Sequence, residues 1–451
     1  MLTRTKKMAM NIFSSAKTKF SYSLPILLLC GTTHSQAMQL VPTIEDAIIH
    51  NPEYREQIKI YQGAQADLEG AEGDWYPKID IAAGVGKERI ERENTTSELT
   101  RKEASISVSE NLFKGFQTVN EIDRYQARKD AAVYSAESSA NQIALDMAVA
   151  YLSLIQQQEL LSLEEENKKT RERILDQIMQ RSDAGIGNQV EVDQAKARLA
   201  LASSNTMAAQ NNYQDALARF QRILGRMPDN DLIKPEFNFT FPDTLEEAVK
   251  IAMLNHPTLR SANADIAEAQ AQYRSSKSPF YPSLDIELLK TFDENINGTE
   301  GKNHDYQAML RMRYNLYNGG KDSAQLESTS VAVQQAAEIR NNTRRQTIEN
   351  LKYAWNAKNY VDQQLGFIKE HIKLTYETLE GYRKQFSLGR RSLLDLLNTE
   401  DEYNSALRTL VNSEADYAIA ELRILNGMGT LLQELQINVK YDEVETDYSD
   451  K

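Results

Sequence analysis

Cysteine is almost missing from this chain: Cys30 is the only one in 451 residues. Downstream of it there can be no disulfide framework, cysteine zinc site or thiol chemistry. Long apolar runs are missing too. No stretch after residue 38 approaches the roughly twenty residues of a membrane-spanning helix, so this chain could cross a bilayer only as a β-barrel. Proline is scarce, 10 in all, and none lies between Gly115 and Gly185 or between Gly319 and Gly389. Positive charge is in deficit, with 52 Lys and Arg against 65 Asp and Glu and a formal net charge of -13, which disfavours nucleic acid as a partner.

Catalytic constellations are also lacking. His50, His256, His304 and His371 are scattered, and no nucleophile elbow occurs. Gly84-Val85-Gly86-Lys87 starts like a phosphate loop, but Glu88 follows where Ser or Thr is required and the glycines lie in an alternating segment. Asp293, Asn295, Asn297 and Gly298 match the first half of a calcium loop, yet His304 stands where the bidentate Glu belongs, and the Asn and Gly read as turn residues. The expectation is a protein that is not an enzyme and carries no metal or cofactor.

The first 37 residues have the form of an export signal. Arg4, Lys6, Lys7, Lys17 and Lys19 precede a short apolar run from Leu24 to Cys30, and Ser35-Gln36-Ala37 supplies a cleavage site before Met38. Met8 and Met10 stand as alternative starts. Cys30 follows an apolar run, as a lipid-anchored cysteine does, but Leu29 precedes it where a small residue is needed. Removing the signal takes away five positive charges and no negative one, moving the formal net charge from -13 to -18.

The mature chain is written twice. Asn51-Pro52 recurs as His256-Pro257, Tyr76-Pro77 as Tyr281-Pro282, Asn111-Leu112-Phe113-Lys114-Gly115 as Asn315-Leu316-Tyr317-Asn318-Gly319, and Gly185 as Gly389, at offsets of 204 or 205. A constant offset over that distance means the same elements in the same order. The first repeat is expected over 38–230 and the second over 244–430. A linker of 231–243 joins them, and an acidic tail of 431–451 follows.

Within each repeat, short helices lead to a Tyr-Pro corner that stops the helix and starts a strand. Ile79, Ile81, Ala83 and Val85 alternate with Asp80, Ala82, Gly84 and Gly86; a polar loop is expected from about Glu91 to Arg101 before Ala104, Ile106, Val108 and Leu112 resume the alternation. The second half repeats this with Leu284, Ile286 and Leu288, then Tyr306 to Leu316. Hairpins are thus expected near 78–113 and 283–317. Charge opposite an apolar face suits a barrel wall or a two-faced soluble sheet. Helical hairpins follow near 116–225, turning near 185, and near 320–428, turning near 389, with legs on the order of 100 Å. Leu365, Ile368, Ile372, Thr375, Leu379, Tyr382 and Phe386 form a coiled-coil seam answered by Tyr403, Leu407, Leu410, Tyr417 and Ile424, and Ala195, Ala197, Ala200 and Ala202 offer close approach in the first hairpin.

This ordered set, present twice, resembles the TolC-type outer-membrane channel family, from Thr43 to about Gly429. The resemblance implies a mainly α fold with a membrane β-barrel. Three protomers would share one twelve-stranded barrel above a periplasmic α-helical tunnel. It implies a homotrimer in outer-membrane lipid, docked to a periplasmic adaptor and an inner-membrane ABC or proton-driven transporter. Type I protein secretion is the favoured role, because the expected lack of a lipid anchor fits that branch; small-molecule efflux is the alternative. A periplasmic coiled-coil adaptor or scaffold is the reading from another class, and it would need one long hairpin where this chain has two.

The resemblance also assigns sites. Ala184, Gly185 and Ile186 and, in the second repeat, Leu388, Gly389 and Arg390 are the adaptor-docking tips. Glu191 and Arg391 fall at an interhelical acid–base pair of the periplasmic gate, Phe386 replaces a tyrosine of that network, Asp395 matches the first acidic ring, and Asn398 occupies the second.

Overall fold

The duplication extends to the length of the elements. Helices α1 (Leu40–His50) and α5 (Leu245–Asn255) have 11 residues each, α3 (Gln117–Asp183) and α7 (Lys321–Ser387) 67 each, and α4 (Gln189–Leu224) and α8 (Leu393–Met428) 36 each. The two helices before the Tyr-Pro corners, α2 (Pro52–Glu72) and α6 (Pro257–Ser275), differ by two residues. This computed structural model describes residues 38–93, 95–228 and 232–439. The expected signal segment, Cys30 and the acidic stretch from Tyr441 lie outside the described residues.

Local chemistry sets the boundaries. Asn51 caps α2 by accepting the Glu53 N–H at 2.8 Å, with Pro52 at the first helical position, where its missing N–H costs nothing. Thr244, Asn188 and Ser392 cap α5, α4 and α8 in the same way. With no proline to interrupt them, α3 and α7 run on for about 100 Å.

The strands are β1 (Lys78–Arg92), β2 (Thr95–Lys114), β3 (Ser283–Glu294), the two-residue β4 (Lys302–Asn303) and β5 (Tyr306–Arg313). They form one antiparallel sheet in which β2 pairs β3 and so joins the two repeats, while β5 pairs β3 and β1 pairs only β2. Rows across the sheet share a face: Ile79, Val108, Leu288 and Ala308 form one, and Ile81, Ile106, Lys290 and Tyr306 the next. Toward the helical end this face is apolar and open, with Ile81 76% and Leu310 64% exposed, while Lys290 and the Lys102–Glu294 pair mark its other end. On the other face Arg311 and Arg313 pair with Asp285 and Glu287 at 2.7–3.0 Å, and Asn111 donates to Asp285 at 2.6 Å.

Several boundaries differ from the sequence reading. The polar stretch 91–101 is strand almost throughout, Arg92 pairing Thr95 and Gly86 pairing Arg101, because polar side chains are as content in a solvated strand as in a loop. The second hairpin stops at Arg313 rather than near 317. The tail does not begin at 431: α9 (Leu431–Glu434) follows α8, and Leu431, Leu435 and Ile437 are buried in the main core. Residues 232–243 are no free linker, since Phe237, Phe239 and Phe241 pack on that core and Lys234 bridges Glu159 and Glu414 at 3.3 and 3.1 Å. In α4, Ala195, Ala202 and Ala209 form the buried seam at heptad spacing, whereas Ala197 and Ala200 face outward.

The core gathers where the short helices cross the long ones. Ala136, Ala140, Ala144 and Ala148 line one face of α3 and are fully enclosed, their small side chains admitting close neighbours. Tyr151 is buried there with its hydroxyl 2.6 and 2.8 Å from the carbonyl oxygens of Met38 and Ile233, and burial pushes its pKa up.

Candidate functional site: the helical tips and the polar seam above them

Each long helical hairpin turns on a glycine in a left-handed conformation, Gly185 at φ 74° and Gly389 at φ 70°. The turns are built alike. Gly185 N donates to Ser182 O and Ile186 N to Arg181 O, while Gly389 N donates to Phe386 O and Arg390 N to Gln385 O. These paired bonds close a helix on a residue for which only glycine avoids a Cβ penalty. The turns leave aliphatic side chains in the open: Ile186 is 73% and Leu388 69% exposed.

Just inside the tips, Ile174, Ile178, Val192, Leu393 and Leu397 make a second, small apolar core, with Phe386 packed against it. The Arg181 guanidinium lies 5.0 Å from the Phe386 ring. Arg391 does not reach Glu191 within the chain. It lies 3.3 Å from Asp395, four residues along, and 3.9 Å above the ring of Tyr382. Its Nε has no aligned hydrogen-bond acceptor, so the Asp395 approach is a charge contact only. The Glu191 N–H is capped by Asn188, but its carboxylate has no partner among the described residues. Asn398 accepts from Arg198 of α4 at 3.0 Å.

Sequence reasoning missed the most ordered polar feature. About 20 Å from the first tip, α3 and α8 run antiparallel and meet in three polar rungs: Glu164 with Arg408, Asn167 with Asn404 at 3.0 Å, and Arg171 with Asp401 at 2.6 Å. Arg198 grips the second oxygen of Asp401 at 2.7 Å, so one carboxylate ties both helices of the first hairpin to the second. Arg383 of α7 holds the buried Glu400 at 2.7 Å. Arg171 is 2% exposed, and burial pushes its pKa below the ordinary value. The spacing i, i+3, i+7 in both 164/167/171 and 401/404/408 was the available signal. It was hidden in runs of charge that read as solvated.

No helix of the described residues is long and apolar enough to cross a membrane, and no group of acidic, His or Cys residues among them could hold a metal. A sheet apolar on its outward face and charged on the other, carried on two tunnel-length helical hairpins, defines the class: a protomer of an outer-membrane channel. The chain belongs to the outer membrane efflux protein family, whose model matches residues 43–226 and 248–430. It is similar to outer membrane protein TolC of Escherichia coli, 22% identical over 90% of this chain and 86% of that one. It is also similar to outer membrane efflux protein BepC of Brucella suis, 22% identical over 77% and 76%, and to alkaline protease secretion protein AprF of Pseudomonas aeruginosa, 20% identical over 88% and 85%. The fold matches the crystal structure of the Campylobacter jejuni CmeC outer membrane channel with a TM-score of 0.78, at 15% identity over 87% of this chain and 86% of that one. The protein is therefore an outer-membrane channel of a Gram-negative cell, its helices extending into the periplasm.

Proposed function

We propose that three copies of this chain assemble into the exit duct of a tripartite export system, opened when its tips dock to a periplasmic adaptor and an inner-membrane transporter. The observation that carries this is the sheet. Its four long strands end in two unpaired edges, β1 and β5, and present an apolar outward face. In lipid an open edge would strand backbone polar groups, and four strands cannot close on themselves. Three sheets joined edge to edge give twelve strands and no edge. The long helices need the same partners: Tyr353, Tyr360, Phe367 and Leu374 recur every seven residues on α7 and are all more than half exposed. A scaffold or adaptor built on one coiled-coil hairpin has no use for a second hairpin or for this sheet.

The favoured cargo is protein, in the manner of type I secretion, with ABC-driven transport. The full-length likeness to a protease secretion protein supports that reading, and the likeness to BepC, named for efflux, supports the small-molecule alternative. Quantitative mass spectrometry of the surface and culture-medium proteins of a deletion strain and its parent separates the two. Loss of one or a few large proteins, restored by complementation, is the expected result. An unchanged profile with new sensitivity to toxic compounds would transfer the assignment to efflux.

A further inference from the structure

The helices enter and leave the sheet at Lys78, Lys114, Ser283 and Arg313, so the hairpin connections lie at its other end. In an outer-membrane channel with periplasmic helices, that end is the outer mouth. The ladder register puts Glu88, Ile90 and Arg92 of β1 and Ser97, Leu99 and Arg101 of β2 on the face opposite Ile79, Ile81 and Val85, which is the lumenal face. All of these except Arg92 are half-buried, although neither a strand nor a helix covers them.

What covers them is the connection that follows β3. Gly298 N donates to the Glu88 carboxylate at 3.0 Å, and the Arg92 guanidinium donates to the Asn297 carbonyl at 3.1 Å. Ile90 fills the space between, close enough that a Cβ on Gly298 would lie 3.4 Å from its own. Asn295 secures the base of the loop, donating from Nδ2 to the Thr100 carbonyl at 3.1 Å and accepting from Gly301 N at 2.9 Å. Asn295 and Asn297 both take left-handed φ, 58° and 53°, which asparagine tolerates better than most residues. The residues that resemble half of a calcium loop are thus used to fold this segment inward. Arg101 braces Glu88 from below at 2.8 Å and is itself held by Glu103 at 2.6 Å.

The geometry points to a lid at the outer mouth: loop 295–301 of each protomer lies across the lumenal face of β1–β2 and sets the size limit for solutes at that end. This rests on the channel reading above. The loop is held by a few side-chain bonds and one apolar contact and by no ladder to β1 or β2, so it can swing clear while the barrel wall stays paired. The periplasmic tips, at the far end of helices about 100 Å long, are a separate barrier.

The test uses the full assembled protein in planar bilayers, with polyethylene glycols of graded size added to one side at a time. In Glu88→Ala/Arg92→Ala, and in a variant with residues 296–300 replaced by two glycines, the exclusion limit from the outer side should move to larger polymers. The limit from the helical side should not move. Residues 31–451 contain no cysteine, so Ile90→Cys/Gly298→Cys supplies a second readout: a disulfide should form on oxidation and keep the outer limit at its unmodified value. An unchanged outer limit in both release variants, or failure of the cysteine pair to close in a folded channel, overturns the lid while leaving the channel intact. Absence of any conductance removes the channel reading and the lid with it.

Discussion

Arg171 of α3 and Asp401 of α8 meet at 2.6 Å across 230 residues of sequence, with Arg171 2% exposed and Asp401 shared with Arg198 at 2.7 Å. The pair is the tipward rung of an antiparallel ladder between two apolar cores, one at the short helices and one at the tips. Polar rungs in such a place fix register: sliding α3 along α8 by a turn would leave the buried Arg171 and Glu164 without their partners.

The first prediction follows from that burial. Asp401→Ala leaves the Arg171 guanidinium buried and unpaired, and should destabilise the protein by about 3 kcal/mol. Arg171→Met/Asp401→Leu removes both charges and should recover most of that loss. Thermal unfolding of the detergent-solubilised protein measures both, and equal destabilisation by the single and double changes would mean that the rung acts by packing alone.

His256 stands in the second repeat where Asn51 caps α2 in the first. It caps nothing, its Nδ1 is buried without a partner, and burial pushes its pKa from 6.5 to about 4. The unfolded chain therefore takes up this proton near pH 6.5 and the folded chain only near 4. The stability gained by keeping the ring neutral is full above 6.5 and is lost as the pH falls from there through 4, a loss of about 3 kcal/mol. His256→Asn should abolish that contribution to acid sensitivity and add about 1 kcal/mol through a new cap at Thr258. Stability profiles from pH 7 to 4 that stay parallel for the two proteins would refute the assignment.

How much of this was legible depended on whether period or pairing in space carries the information. The glycine turns, the 67-residue helices and the alternation of Ile79, Ile81 and Val85 are written in spacing alone, and the structure places them where spacing puts them. The ladder is not. Glu164 to Arg173 reads as a solvated charge run until α8 is laid against it. Likewise Glu91 to Arg101 looks like a loop because polarity marks water, and the side chains of an exposed strand meet water as readily as those of a loop. At the proposed gate the residues could be named in advance but not their partners: Arg391, in the turn between α7 and α8, finds Asp395 and Tyr382 in its own chain.

Exposed aliphatic residues at the two tips predict a docking defect without a folding defect. Ile186→Asp/Leu388→Asp changes side chains that touch little, so stability should shift by no more than about 0.5 kcal/mol. Export should nevertheless be lost, because a carboxylate at each tip must be desolvated against any apolar partner. Secretion assays paired with thermal unfolding check this; export at the parental level would exclude these side chains from docking.

The proposed gate can be tested by two alternative patterns, because Glu191 is unpaired in one chain while Arg391 lies beside Asp395. If Arg391 acts only through Asp395 and Tyr382, then Arg391→Ala and Tyr382→Ala should alter conductance and Glu191→Ala should not. If Glu191 takes Arg391 from a neighbouring protomer, both Arg391→Ala and Glu191→Ala should raise single-channel conductance and sensitivity to large antibiotics, and the swap Glu191→Arg/Arg391→Glu should restore the parental level. We expect the second pattern, since Arg391 Nε is buried without an aligned acceptor and the Asp395 contact is long for a charge-assisted bond. Removing Arg391 also uncovers Asp395, and three such carboxylates around one axis would attract cations. Arg391→Ala should therefore become more cation-selective as it opens, whereas Glu191→Ala should open without that change.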